Sequence, residues 1–259
     1  MDLDLITKIL QSAFFLIVAI IAVLTYLQAK RTWFQPMRTE VFKQQLGAID
    51  ELSSHFIGKS ESELRDELDF DALVSANTYL LMDSYASLFF DIKFDINKRP
   101  YNKKNCPISI VSEEFLELAD EPYIEEPTKA NKTPDSRTKA AIWSNYKFPE
   151  ICLTRIHSDN FRNLEKLSRS PLIPKQCQTL VATYLNIAHK NVMLIGDIFT
   201  EVSKELPEKY PDEDALKRAT VSWIHNRYNA KFKQLEPLAG EIEAFIREYL
   251  GTDSLLSGQ

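Results

Sequence analysis

The longest apolar run of the chain lies close to its N-terminus. Residues 9–29 carry no charged side chain and consist mainly of Phe, Leu, Ile, Val and Ala. At ~1.5 Å per residue, a helix over this run is ~31 Å long, which matches the ~30 Å hydrocarbon core of a bilayer. The apolar part of a cleavable signal peptide has only ~7–15 residues. The pattern therefore predicts one transmembrane helix over residues 9–29.

Basic residues flank this run unequally. Lys8 precedes it, and the basic residues that follow it closely are Lys30, Arg31, Arg38 and Lys43. Because basic residues beside a span stay in the cytoplasm, we expect residues 1–8 to form a short outer N-terminus and the chain after the span to be cytoplasmic. A bacterial inner membrane is the location that we expect for a single-pass chain of this size.

Aromatic and basic residues mark the downstream boundary of the predicted span. Tyr26, Trp33 and Phe34 lie there together with Lys30 and Arg31. Such side chains are enriched at the level of the lipid headgroups, so we predict that these five contact the membrane interface. For the three aromatic residues, packing against the cytoplasmic domain is the alternative.

A juxtamembrane helix is predicted over residues 30–58. Phe42, Leu46, Ile49 and Phe56 follow one another at steps of 4, 3 and 7 residues, which places them along one face of a helix. Two interpretations of this apolar seam stay open. It docks onto the rest of the domain, or it forms a short parallel dimer stalk.

Further helices are predicted in the region 59–97. Gly58 favours the left-handed conformation that ends a helix. Ser60 and Glu63 have the spacing of a capping box, in which each side chain binds the backbone N–H of the other residue. A second helix is expected from about Asp71.

The end of this region has an ambiguous pattern. Apolar and polar residues alternate from position 88 to position 96, which is typical of a half-buried strand. A continuation of the preceding helix is the alternative. A strand requires a partner, and the short apolar run at 107–111 is the nearest one, so the pattern allows a two-stranded β-hairpin.

Proline changes the character of the chain between residues 98 and 174. Eight of the 12 prolines fall in this stretch, so we predict a Pro-rich insert that no long helix crosses. Within it, residues 120–139 are polar, interrupted by proline and poor in aromatic side chains. This composition predicts a mobile loop.

The region 175–251 has the clearest helical periodicity. Its apolar positions recur at helical spacing, and prolines and Asp212 mark the helix starts. The predicted helices run from Pro174 to Leu206, from Glu213 to about Glu236 and from Pro237 to Gly251, and residues 252–259 form a tail. The predicted fold is therefore mainly α: one N-terminal transmembrane helix followed by a helical cytoplasmic bundle, with a small β-hairpin and a Pro-rich loop insert.

Composition excludes several classes of function. The chain contains only six Gly, too widely spaced for a Walker loop, a G-x-G-x-x-G motif or a G-x-S-x-G elbow. Its four His and three Cys are isolated and have no metal-ligand spacing, so we expect no metal and no cofactor. A net charge of −6 argues against a nucleic-acid partner.

One pair of residues suggests chemistry. Arg218 precedes His225 by seven residues on a predicted helix, which places both side chains on one face. The spacing resembles the R-x(4–6)-H element of helical HEPN-type ribonucleases, although Ala219 stands where that element usually carries a polar residue. The resemblance implies that the pair would bind and protonate at a scissile phosphate.

The functional expectation is a single-pass membrane protein with a helical cytoplasmic interaction domain that acts as a scaffold, adaptor or sensor. Its partners would be the lipid bilayer and either an unknown protein or a second copy of the chain. Two alternatives remain. The chain is a membrane-acting effector of the toxin or defence type, or it is a membrane-anchored helical ribonuclease that uses Arg218 and His225.

Overall fold

The computed structural model describes residues 3–90, 92, 106–111 and 136–251, with the side chains of residues 3–10 and 31–38 left out. It confirms a mainly helical fold with a small two-stranded sheet. In chain order the elements are α1 (Leu3–Ser53), α2 (Glu61–Glu67), α3 (Phe70–Phe90), β1 (Ile108–Val111), α4 (Ser136–Ser144), β2 (Glu150–Leu153), α5 (Arg155–Ser168), α6 (Lys175–Ser203), α7 (Leu206–Lys209), α8 (Glu213–Lys217), α9 (Ser222–Lys231) and α10 (Glu236–Leu250).

The chain divides into two compact units, Met1–Glu51 and Leu52–Gln259. In the first unit, α1 is a single helix that begins before the apolar run and continues past the unit boundary to Ser53. Two residues of the predicted seam, Phe42 and Leu46, are exposed, whereas Phe56 belongs to the core of the second unit. The two interpretations of the seam therefore stay predictions.

The core of the second unit surrounds α6, which has 29 residues and packs against α3, α5, α9, α10 and β2. Its inward face follows the predicted helical period, and Pro174 precedes its first residue. Tyr184 packs edge to face against Phe56, with ring centroids 5.0 Å apart. Phe199 packs in the same way against Phe148, also at 5.0 Å. Aromatic pairs therefore pack against α6 at two places about four turns apart.

Local signals place several helix ends as predicted. The capping box of α2 forms, since the Ser60 side chain accepts from the Glu63 N–H and the Glu63 carboxylate accepts from the Ser60 N–H. Asp212 caps α8 by accepting the Ala215 N–H. Gly251 has φ 64° and follows the last residue of α10, as predicted. Gly58 also has positive φ, 70°, but the predicted helix end at Gly58 is wrong, because α1 ends at Ser53 and a turn connects the two.

The predicted β-hairpin is wrong in its partner. β1 pairs antiparallel with β2, so that Ile108 faces Leu153 and Val111 faces Glu150. Residues 88–90, the start of the predicted strand, are helical, while 91 and 93–97 lie outside the described residues. A strand's partner depends on which segments the folded helices bring together, and the pattern along β1 contains no such information.

The prediction of one helix from Glu213 to Glu236 is also wrong, because this segment contains two helices. α8 ends at Lys217 and α9 begins at Ser222. Between them, the Thr220 carbonyl accepts a hydrogen bond from the Tyr210 hydroxyl at 2.8 Å. This tertiary contact gives the carbonyl a partner outside the helix, and the sequence period alone cannot show it.

The predicted mobile loop 120–139 is too long at its C-terminal end. Residues 136–139 form the first turn of α4, while 120–135 lie outside the described residues. The Lys139 ammonium donates to the Phe89 carbonyl at 3.1 Å. α4 further buries Trp143, whose indole N–H donates to the Ser203 carbonyl at 2.7 Å. These tertiary contacts stabilise a helix in a segment whose polar composition predicted a loop.

Candidate functional site: an exposed apolar helix and three polar clusters

The exposed apolar part of α1 is the first candidate site. Residues Gln11–Lys30 have a mean hydropathy of 2.2, and none of this segment is buried. Its length and composition suit a membrane span. A signal sequence passes the same test, whereas a core helix of a soluble protein would be mostly buried. The Thr25 hydroxyl donates to the Ile21 carbonyl at 2.8 Å, so this polar group is paired within the helix.

The predicted interface residues are placed only in part. Tyr26 and Lys30 are exposed at the end of the apolar segment. Arg31, Trp33 and Phe34 belong to α1, but their side chains lie outside the described part of the structure. Contact of these residues with a membrane interface stays a prediction.

The structure does not place Arg218 and His225 on one helix. Arg218 follows the last residue of α8, and its Nε donates to the Asp214 carbonyl at 3.2 Å. His225 lies in α9, beyond the break. The one-helix arrangement that motivated the ribonuclease hypothesis is therefore not formed.

His225 instead lies near a cluster formed by Arg65, Asp71 and Asn229. The Arg65 Nη2 atom donates to Asp71 Oδ1 at 2.8 Å and to Asn229 Oδ1 at 2.7 Å. Its guanidinium carbon is 4.4 Å from the centre of the Phe232 ring, within cation–π distance. Burial lowers the pKa of His225, Asp71 raises it and Arg65 lowers it. This cluster ties α2, α3 and α9 together.

The corner between α2 and α3 forms a second cluster, bound by the start of α5. Asp69 has φ 55°, a left-handed conformation that is uncommon outside glycine. Its Oδ2 accepts from the Thr154 hydroxyl at 2.5 Å. The His157 Nδ1 atom lies 2.8 Å from the Leu68 carbonyl oxygen. Burial raises the pKa of the Asp69 carboxyl and lowers that of the His157 imidazole.

A third cluster centres on the half-buried carboxylate of Glu67. It is hydrogen-bonded to His55 and forms an ion pair with Lys59, and both residues belong to the turn between α1 and α2. Burial raises the pKa of Glu67, whereas the hydrogen bonds from His55 and Lys59 together lower it by a larger amount, so the net shift of this pKa is downward. The Glu67 backbone carbonyl also accepts from Asn160 at 2.7 Å. The same corner therefore contacts both α5 and the turn that follows α1.

Two buried cysteines, Cys106 and Cys177, are not activated. Burial and the nearby Asp69 carboxylate raise the pKa of Cys106, and burial raises the pKa of Cys177 to about 11. A raised pKa keeps a thiol protonated and weakly nucleophilic. Within the described residues, no group of three or more His, Cys, Asp and Glu side chains is arranged to hold a metal ion.

Comparison with known proteins places the chain in no group. No protein-family model, no curated protein and no solved structure matches it.

Sequence reasoning missed all three clusters, since their members are brought together from distant positions. Arg65 and Asn229, for example, are 164 positions apart. The sequence predicted only one part of these clusters, the helix that contains Arg65, through the capping box at its start.

Proposed function

We propose that this chain is a single-pass membrane protein whose α1 anchors a helical interaction domain that acts as a scaffold, adaptor or sensor. The observation that carries the proposal is the exposed apolar segment Gln11–Lys30. At ~25 cal/mol per Å² of apolar surface, exposing 20 such residues to water is strongly unfavourable, and a bilayer removes this cost. The basic residues after the segment favour a cytoplasmic domain.

The polar clusters of the second unit support a binding role for this domain. Arg65 and Asp69 use their charged groups, and Glu67 uses its backbone carbonyl, in hydrogen bonds that join different parts of the second unit. Such contacts hold a surface in a fixed shape, which suits recognition of a protein or of a second copy of the chain. The partner itself is part of the proposal.

Membrane fractionation tests the anchor. We expect the full-length chain to sediment with membranes and to stay there after extraction with alkaline carbonate. Its intact mass should include residues 1–30, because an uncleaved anchor keeps the apolar segment. A soluble chain, or a mature chain that begins after this segment, would contradict the proposal.

Protease protection tests the orientation. In spheroplasts, a tag at the C-terminus should resist external protease, whereas in inverted vesicles it should be cleaved. The opposite pattern would place the second unit outside the cell and contradict a cytoplasmic domain.

Crosslinking tests the interaction role. Full-length chain in its native membrane is treated with a lysine-reactive reagent and analysed by mass spectrometry. Defined adducts, either with one repeated partner or with a second copy, are expected. Recovery of only the uncrosslinked monomer, at expression levels where a membrane-protein control gives adducts, would contradict the role.

A further inference from the structure

His157 is a buried histidine that joins two elements through one hydrogen bond. It lies in the first turn of α5 and is 4% exposed. Because the Leu68 carbonyl oxygen only accepts hydrogen bonds, the Nδ1 atom of His157 carries the donated proton. The neutral ring then has Nε2 without a proton. Acid adds a second proton and a positive charge to this buried ring.

The surroundings of His157 are mainly apolar. The rings of Phe70 and Phe161 have centroids 5.9 Å and 5.7 Å from that of the imidazole. Two titratable groups face it: the Asp69 carboxyl from the α2–α3 corner and His189 from α6. Burial lowers the pKa of His157, the Leu68 carbonyl and Asp69 raise it, and His189 lowers it. The net shift is downward from 6.5, so the fold favours the neutral ring.

The first turns of α5 hold the α2–α3 corner, residues 67–69, at three points. Besides the contact of His157, Thr154 binds the Asp69 carboxylate and Asn160 binds the Glu67 carbonyl. The corner includes the left-handed Asp69, a conformation that persists only where surrounding contacts hold it. α2 itself has seven residues and buries only Leu64. Arg65, through Asp71 and Asn229, and Glu61, through the start of α10, hold the rest of α2, whereas the three bonds from the start of α5 act on residues 67–69 themselves.

We propose that His157 is a proton-operated latch: its protonation releases the α2–α3 corner from α5 while the helical core around α6 stays folded. The sign follows from linkage. Since the closed state binds the extra proton more weakly than the open state, closure is complete above the ordinary imidazole pKa of about 6.5. It weakens as the pH falls from there towards the lowered pKa of the folded state.

Release of the corner has a consequence beyond α5. The Glu67 side chain holds His55 and Lys59, the residues of the turn that follows α1. Opening residues 67–69 therefore also weakens the contacts of Glu67 with that turn. The latch makes the turn that contains His55 and Lys59 sensitive to pH, a regulation that does not depend on the membrane role of α1.

Hydrogen–deuterium exchange of the full-length chain in mild detergent tests the latch at pH 7.5, 6.5 and 5.5, after correction for intrinsic exchange rates. We expect residues 64–73 and 155–161 to lose protection several-fold between pH 7.5 and 5.5, with about tenfold as the linkage limit one pH unit below the ordinary imidazole pKa of about 6.5. Protection in α6 and α10 should change by less than about twofold. Uniform loss across all helices, or no selective loss at the corner, would overturn the proposal.

Variants separate His157 from the other titrating groups. His157→Asn keeps an N–H donor near the Nδ1 position and does not titrate, so the acid response of the corner should disappear. His225→Asn, at a half-buried histidine outside the corner, and Asp69→Asn should both keep it. In the unaltered chain, the NMR titration of the His157 ring should have its midpoint below pH 6.5, in step with opening. A response that persists in His157→Asn, or a ring that titrates at or above pH 6.5, would overturn the latch.

Discussion

Asn77 shows how one buried side chain can complete a small sheet. It is fully buried in α3, and its amide accepts from the Cys152 N–H at 2.8 Å and donates to the Cys152 carbonyl at 2.9 Å. A second N–H of the same amide group serves the Leu73 carbonyl. The side chain thus gives both backbone groups of one β2 residue a partner, as a neighbouring strand would do.

Replacement of Asn77 should therefore be costly. In Asn77→Ala the N–H and carbonyl of Cys152 lose these buried partners, and we expect the free energy of unfolding to fall by about 2–4 kcal/mol. Chemical denaturation measures this change. Asn226→Ala makes the same replacement at an exposed site of α9 and should stay within about 0.5 kcal/mol. Equal effects of the two variants would contradict the clamp.

Asp69 combines a left-handed backbone with a partly buried hydrogen bond. Asp69→Ala loses the acceptor for Thr154 and places at positive φ a residue that tolerates this conformation less well than Asp or Asn does. We expect a loss of about 1–3 kcal/mol of unfolding free energy. Asp69→Asn keeps an acceptor oxygen and a residue type that tolerates this conformation, and it should stay within about 1 kcal/mol. Thermal denaturation of both variants at pH 7.5 checks the order, and an equally large loss in Asp69→Asn would contradict it.

At the scale of elements, α10 is capped from a distant helix. The residue before it, Leu235, has no capping side chain, and Glu61 of α2 takes that role. One Glu61 carboxylate oxygen accepts the N–H groups of Leu235 and Glu236, each at 2.8 Å. A carboxylate at a helix N-terminus also interacts favourably with the helix dipole. The first turn of α2 therefore secures the start of the last helix.

Removal of this cap should weaken α10 locally. For Glu61→Ala we expect about 1–2 kcal/mol lower stability and faster amide exchange at residues 235–239, since two N–H groups lose a charged acceptor. Ser62→Ala, at the exposed neighbouring position, should change neither quantity. Exchange and denaturation measured on both variants test the cap. Unchanged exchange at the start of α10 in Glu61→Ala would contradict it.

At the scale of the whole molecule, the apolar segment of α1 determines the proposed location. Lysine at the centre of a span costs ~2.5–3.5 kcal/mol per residue on insertion. The double variant Ile17→Lys, Ile20→Lys should therefore leave the membrane pellet, whereas Ile17→Leu, Ile20→Leu should remain in it. Fractionation with carbonate extraction distinguishes them. If the lysine variant stayed in the membrane as fully as the leucine variant, the segment would not be the anchor.

The sequence by itself determined what depends on neighbouring residues. A run of uncharged apolar residues, the Ser60–Glu63 capping box and Gly251 act over one or two helical turns, and their structural effects appear as predicted. The mainly helical class follows from such local signals, as does the 29-residue α6.

Only the tertiary structure decided which distant residues meet. It paired β1 with β2, divided the predicted helix between Glu213 and Glu236, and placed His225 near Arg65 rather than on one helix with Arg218. It also placed His157 against the α2–α3 corner, a contact across 89 positions. These outcomes depend on burial and hydrogen bonds between segments far apart in the chain, and a local pattern contains no record of such contacts.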